Sequence, residues 1–288
     1  MTSKRRSLIL FLSDGVLKVH ISDKEFLELA YYIERNYGIH LKKEKKTLLE
    51  GRLFQFLKEK NLKNFSEFYQ CLIQDKTNQT ATTLVNKITT NHTFFMREAD
   101  HFAYFRERIL PYLSKTVKDK DLRIWSAGCS TGEEPYTLAM IINDFFGHEK
   151  LFWDTKILAT DISDKVLSYA QKGYFSNHQL TNVPGIWRNN YFEQIDRDTS
   201  RISKQIRDDI IFRRLNLMDK VFPFKKNFHV IFCRNVMIYF SEQTKMELAN
   251  KFFENTEPGG YLFIGHSESL NRETTRYQYI KPAIYRKG

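Results

Sequence analysis

A chain of 288 residues, 42% hydrophobic and 15% aromatic, can build one large domain or two modest ones and is too apolar to be disordered throughout. Its net charge of +11 admits nucleic acid, acidic lipid or an acidic protein as a partner, and charge alone does not choose among them. Cys71, Cys129 and Cys233 have no metal-ligand spacing and form no disulfide framework, and no stretch approaches the roughly 20 apolar residues of a membrane span, so a reducing, cytoplasmic setting is expected.

The apolar run 7–12 follows Lys4, Arg5 and Arg6 in the manner of a signal peptide. It is short, is followed by Asp14 and Lys18, and lacks a small-residue cleavage site, so residues 1–21 read as an N-terminal extension. Ser22-Asp-Lys-Glu25 has the spacing of a capping box. The stripe Phe26, Leu29, Ala30, Ile33, Tyr37 then has helical period, and Gly38 stops it. A second helix is predicted over about 43–60, with Leu49, Leu53, Phe56 and Leu57 inward, and further helices over 65–74 and 79–91. No strand pattern precedes about residue 120, so residues 22–91 read as a small all-helical domain.

From residue 122 the texture changes to strands alternating with helices. Strands are predicted at 122–126, 156–160, 228–233 and 261–265, helices at 133–146, 164–171 and 242–255, a turn at 258–260, and a closing hairpin over 276–286 around Pro282. That alternation means a parallel, Rossmann-like α/β sheet covered by helices, occupying residues 92–288. The polar stretch 175–212 reads as an insertion outside the main sheet.

The turn after the first strand, Ser126-Ala-Gly-Cys-Ser-Thr-Gly-Glu-Glu-Pro-Tyr136, sits at the nucleotide-binding corner of such a sheet. Gly128 and Gly132 are spaced GxxxG rather than GxGxxG, and no Walker lysine follows, so the corner suits a ligand without a phosphate, such as a sulfonium cofactor. Glu134 has capping-box spacing from Thr131, which gives it a purely structural alternative. Asp161, at the end of the second strand, can accept the hydroxyls of a cofactor ribose. Its alternative is a helix cap, for which Ser163 or Asp164 would also serve. In Thr89-Thr-Asn-His-Thr-Phe-Phe-Met-Arg97-Glu98, Arg97 can pair with a carboxylate, while His92 has no histidine at metal-binding spacing. Asn235 and Tyr239 fall at the carboxyl end of a central strand, where open α/β sheets bind ligands, although Tyr239 also reads as a core aromatic.

Asn91-x-Thr93-x-x-x-Arg97-Glu98, the 126–136 turn, Phe232-Cys-Arg-Asn-Val-Met-Ile-Tyr-Phe240 and Gly265-His-Ser-Glu268 together resemble the chemotaxis receptor methyltransferase (CheR) family, in order from about residue 22 to the C-terminus. The resemblance implies a helical receptor-recognition domain, then an S-adenosylmethionine methyltransferase domain with a small β insertion. It implies cofactor contacts at Asn91, Thr93, Arg97, Glu134, Asp161, Asn216, Leu217, Arg234 and Asn235, and it makes Arg97 and Tyr239 the residues that position the reacting groups. Family members that dock on a peptide tether at the receptor C-terminus carry a glycine-rich loop in the insertion. Here Gln194-Ile-Asp-Arg-Asp-Thr-Ser-Arg-Ile202 has no glycine and is shorter, so action without the tether is expected.

The implied reaction joins a glutamate carboxylate of the receptor's cytoplasmic domain to the cofactor's methyl group, giving a glutamyl methyl ester and S-adenosylhomocysteine. A carboxylate is already ionised at pH 7, so no general base is required and no metal is expected. The enzyme's work is positioning and exclusion of water. The basic stretch 42–63 carries Lys45, Lys46 and Arg52, with Lys45 and Arg52 on one helical face, and a positive face can steer toward acidic receptor helices. Base-methylating enzymes place prolines where this chain has Asn235-Val-Met-Ile-Tyr239, which argues against a nucleic-acid substrate. A monomer without membrane insertion is expected. A docking module without activity is the other reading, and retention of Arg97, Glu134, Asp161 and Tyr239 together argues against it.

Overall fold

The computed structural model describes residues 19–89 and 92–288. The chain divides into two compact units between Thr90 and Asn91.

The first unit is helical. Helix α1 (Asp23–Tyr37) starts at the expected capping box. Ser22 accepts from the Glu25 N–H, and Glu25 reaches back to the Ser22 N–H at 2.9 Å. The other oxygen of Glu25 takes the N–H and hydroxyl of Ser66, so one carboxylate ties two helix starts together. Gly38 ends α1 in the left-handed region at φ 71°, open to glycine without a Cβ clash. The second predicted helix divides into a single 3₁₀ turn, Lys43–Lys45, and α2 (Lys46–Glu59). Helix α3 (Phe65–Gln74) packs its Phe68 edge-on against Phe56 at 5.4 Å. Helix α4 (Gln79–Ile88) stops before the expected residue 91. Ile21, in the segment assigned to the N-terminal extension, is buried and its N–H donates to Glu50; residues 1–18 lie outside the described residues.

The second unit opens with a helix that the sequence pattern did not reveal. It runs from α5 (Ala99–Tyr104) through a wider π turn, Phe105–Ile109, into α6 (Leu110–Thr116). Pro111 lies inside this continuous helical run just after the π turn, where its missing N–H removes one backbone bond. Then come β1 (Ile124–Ala127), α7 (Glu133–Phe146), β2 (Ile157–Asp161), α8 (Asp164–Lys172), β3 (Tyr174–Ser176), α9 (Gly185–Tyr191), β4 (Phe192–Gln194), β5 (Thr199–Ile202), α10 (Lys204–Asp208), β6 (Ile210–Arg214), β7 (Phe228–Cys233), α11 (Glu242–Glu254), β8 (Thr256–Ile264), β9 (Gln278–Lys281) and β10 (Ile284–Arg286).

The main sheet has the order β6-β2-β1-β7-β8-β10-β9. Pairings from β6 across to β8 are parallel, and the last two strands are antiparallel. The carboxyl ends of β6, β2, β1, β7 and β8 therefore line one edge of the sheet. The inserted sheet is β3-β5-β4 and ends at Ile202. Phe212 belongs to β6, so the inserted segment is shorter than the expected 175–212: alternation in Ile210–Arg214 marks an edge strand of the main sheet with its outer face wet. Pro258-Gly259-Gly260 is not a turn before a strand but an irregularity inside β8. Gly259 has φ +77°, its N–H donates to the Lys287 carbonyl, and the Lys287 N–H donates to Gly260, so the backbone stays paired through it.

Aromatic side chains pack both faces of the sheet behind this edge. Phe232 of β7 stacks on Phe263 of β8 at 4.4 Å, with Phe105 edge-on against it. On the other side Trp125 is caged by Phe222, Phe224, Phe228 and Phe252, and its indole N–H is satisfied by the Thr160 hydroxyl at 2.8 Å. Each such ring contributes about 1.5–3 kcal/mol by burial. Among the described residues no helix is long and apolar enough to cross a membrane.

Candidate active site

Start at β1. After Ala127 the chain must leave the sheet sharply, and Gly128 allows it with φ +82°. A Cβ there would lie 2.5 Å from Val236. The N–H groups of Gly128 and Cys129 both donate to the Thr160 carbonyl, which crosses the turn over to β2. That crossing aims the Ser130 N–H at Asp161 Oδ2, 2.9 Å away, while Asp161 Oδ1 accepts from the Ser163 N–H at 3.0 Å. The cap of α8 is Ser163, whose hydroxyl accepts from Val166, so Asp161 is not consumed as the helix cap. Burial pushes the Asp161 carboxyl up, against the pull of these N–H bonds.

Glu134 is not the capping residue its spacing from Thr131 allowed. Thr131 bonds Glu133, which is buried and raised by that burial. Glu134 instead accepts from Ser126 at 2.6 Å and from Arg234 at 3.0 Å. Arg234, just past β7, is 7% exposed and lies over the Phe102 ring. Its guanidinium also holds Glu98 at 3.1 Å and the Arg97 carbonyl. A buried cation thus joins carboxylates from the start of α5 and the start of α7. Glu98 takes two more bonds, from the Asn235 amide at 3.1 Å and the His266 N–H at 3.2 Å. Burial pushes the Glu98 carboxyl up, but Arg234 and these donors outweigh it and hold it below the usual carboxylate range.

The expected site residues gather along one edge. Asn216 and Leu217 follow β6, whose extension is tied to β2 by the Leu215 N–H to the Asp161 carbonyl. Asp161 ends β2, Glu134 follows the β1 turn, and Arg234 and Asn235 follow β7. Asn235 adopts φ +59°, and Met96 and Glu98 are also left-handed, an accumulation of strain typical of functional sites. Tyr239 closes the single turn Met237–Tyr239 and is half-buried. Thr93 and Arg97 are half-buried, and Arg97 donates to the His92 carbonyl at 2.6 Å. Asn91 lies outside the described residues.

The three basic candidates belong to the helical unit and differ from one another. Arg52 is half-buried and donates to the Lys87 and Ile88 carbonyls, capping α4. Lys46 pairs with Asp23 at 2.5 Å, and Lys45 is exposed.

The motifs contain two further site carboxylates whose part the residue pattern does not reveal, Glu98 and Glu268. A glutamate directly after Arg97, and one three residues beyond Gly265, carried the only sequence signal.

Glu98, His101 and His266 bring possible metal-ligand atoms within 4.8 Å of one another. His101 is fully buried, both its ring nitrogens lack hydrogen-bond partners among the described residues, and burial pushes it down to about 4, so it is neutral at pH 7. A cation here would compete with Arg234 for Glu98, whose two oxygens already accept from Arg234, the Asn235 amide and the His266 N–H. Cys129 and Cys233 are buried and pushed well up by burial, which leaves no thiolate for nucleophilic chemistry.

The corner fits S-adenosylmethionine on its own structure. The Gly128 turn presents backbone rather than side chain, the buried Ser130 hydroxyl lacks a partner among the described residues, and an acid stands at the end of β2. A fold and corner of this kind define an S-adenosylmethionine-dependent methyltransferase. Residues 24–89 match the model of the CheR methyltransferase all-alpha domain, and residues 91–285 match that of the CheR methyltransferase SAM binding domain. The chain is 42% identical over 275 residues to a chemotaxis protein methyltransferase of Borreliella burgdorferi, covering 94% of this chain and 97% of that one. It is 34% identical to a probable chemotaxis protein methyltransferase of Rhizobium etli (87% and 98% covered) and 31% identical to the chemotaxis protein methyltransferase of Escherichia coli (97% and 95% covered). The chain belongs to the CheR methyltransferase family.

Proposed function

We propose that this methyltransferase esterifies glutamate side chains in the cytoplasmic domain of chemotaxis receptors. One observation carries the reading: Asp161, the Gly128 turn and the Asn235–Tyr239 turn stand side by side on adjoining strands, at the edge where open α/β sheets bind ligands. When bound, S-adenosylmethionine supplies an activated methyl group. Asp161 accepts the ribose hydroxyls, the Gly128–Ser130 backbone lies against the ligand, and Thr93, Asn216, Leu217 and Asn235 complete its contacts. Arg234 acts through Glu134 and Glu98, setting where those carboxylates stand. Arg97 and Tyr239 orient the incoming glutamate oxygen. That oxygen is ionised at pH 7, so the site needs no base. It works as a monomer in the cytoplasm, and Lys45 and Lys46 on the helical unit face the acidic receptor.

The test uses methyl-labelled cofactor and a soluble receptor fragment. Label that enters the fragment and is released by mild base is the expected ester. Base-stable label means another acceptor atom and overturns the reading.

The inserted sheet supports action without a receptor tether. Its β4–β5 connection is tight: Asp196 accepts the N–H groups of Asp198 and Thr199, each at 2.8 Å, and the Ile195 N–H donates to Thr199. No glycine gives this turn room to open around a peptide. Receptors with and without their last residues are therefore expected to be methylated equally fast. Strong binding of an isolated tail peptide, measured calorimetrically, would sink the idea.

A further inference from the structure

The geometry points to Glu268 as a positioning residue for methyl transfer: its carboxylate locks the Asn235–Tyr239 turn to the end of β8. This rests on the reading that transfer takes place beside that turn. Glu268 is 6% exposed, yet no cation pairs with it among the described residues. Its oxygens are used on backbone. Oε2 accepts from the Gly265 N–H at 2.5 Å and the Asn235 N–H at 2.9 Å, and Oε1 accepts from the Ile238 N–H at 3.0 Å. The Glu268 N–H itself donates to the Gly265 carbonyl, closing a small ring that fixes the side chain's own position.

These bonds join segments that nothing in the strand ladder joins. The β7–β8 pairing ends at Cys233 and Ile264. Beyond it the backbone turns into the left-handed region at Asn235, a conformation that a non-glycine residue holds only when its surroundings over-determine it. Glu268 supplies that constraint from the main-chain side, and Glu98 supplies it from the side-chain side through the Asn235 amide. The fit is close enough to dictate residue 265: a Cβ there would lie 2.5 Å from Asn235 Nδ2 and 2.9 Å from Glu268 Oε2. A carboxylate is the side chain that such a cluster of N–H groups requires. Glutamine of the same shape would turn an NH₂ donor toward an N–H donor and could not satisfy both edges.

The consequence is for the transfer step. Tyr239 lies one residue beyond the Ile238 N–H that Glu268 holds, so release of that bond frees the turn that carries the hydroxyl. Misplacement of a positioning group by about 1 Å costs on the order of 10²-fold in rate.

The experiment compares wild type with Glu268→Gln and Glu268→Asp, measuring three quantities: turnover on a receptor fragment, binding of S-adenosylhomocysteine, and amide hydrogen exchange at Asn235, Ile238 and Gly265. In Glu268→Gln the expected results are faster exchange at these amides, turnover lower by about 10²-fold, and product affinity changed by much less. Tyr239→Phe is expected to cost less in the Glu268→Gln background than in wild type, because both changes disable one unit. Unchanged exchange, or loss of product binding in step with turnover, overturns the positioning role. Should Glu268→Gln fail to fold, Glu268→Asp keeps the charge on a shorter stem and is read in the same way. If wild type itself transfers no methyl group to the receptor, the functional reading fails, while the exchange data still decide whether Glu268 locks the turn.

Discussion

Arg234→Met is expected to be the most damaging substitution to stability, costing about 3–5 kcal/mol, because it leaves Glu98 and Glu134 facing each other without the cation between them. Methionine keeps an apolar stem in place of the arginine's, and removes the guanidinium that lies over Phe102 together with its pairs to the two carboxylates. The pH dependence checks the cause. In wild type the Glu98 carboxyl is held low by Arg234 and its hydrogen bonds, so its contribution is present above the unfolded carboxylate range and is lost as pH falls through the folded value. Without Arg234, burial is no longer opposed by that charge, and the folded carboxyl moves up instead. The variant's deficit should then be large at pH 7 and shrink as pH falls and the Glu98 carboxyl takes up a proton. Urea melts over a series of pH values measure this, and Glu98→Gln in the Arg234→Met background should restore part of the loss. An equal deficit throughout the series would mean that packing, not charge, is what Arg234 supplies.

The same cluster shows what the sequence could and could not reveal. Periodicity gave α1, α3 and α11 because each buries one face at a regular interval, whereas α7 and β7 are buried on nearly every side and show in the sequence as continuous apolar runs. It missed the helix from Ala99 to Thr116, whose π turn throws the stripe out of register midway. It cut β8 short at Gly259 and Gly260, since local composition says turn while bonds to Lys287 keep the backbone paired through the left-handed Gly259. Pairing across long sequence separation leaves no local mark. The site behaves likewise. Asp161 and Glu134 were legible because each lies at a fixed offset from a strand end. Glu134's partners were not, because Arg234 is a hundred residues away and only the sheet order brings them together. Glu98 and Glu268 were visible as letters in motifs, but a carboxylate that serves backbone N–H groups looks in sequence like any exposed glutamate.

Arg97→Ala should separate catalysis from binding: turnover is expected to fall by about 10²–10³-fold while S-adenosylhomocysteine affinity changes by only a few-fold. The argument begins with how Arg97 is held. Its backbone carbonyl is fixed by the Arg234 guanidinium, Met96 and Glu98 on either side are left-handed, and one of its own N–H groups donates to the His92 carbonyl. Among the described residues that bond orients the guanidinium and uses only part of its donor set, leaving a fork that suits a carboxylate. The arginine is therefore preorganised by the same cluster that fixes Asn235, and its loss removes an oriented charge rather than a packing element. Arg97→Lys keeps the charge and removes the fork, so it should recover only part of the rate. Calorimetric affinity for S-adenosylhomocysteine and initial rates on a receptor fragment decide the matter. Equal losses in both would make Arg97 a ligand of the cofactor's own carboxylate and pass the orienting of the glutamate to Tyr239 alone, in which case Tyr239→Phe, and not Arg97→Ala, must carry the larger defect in turnover.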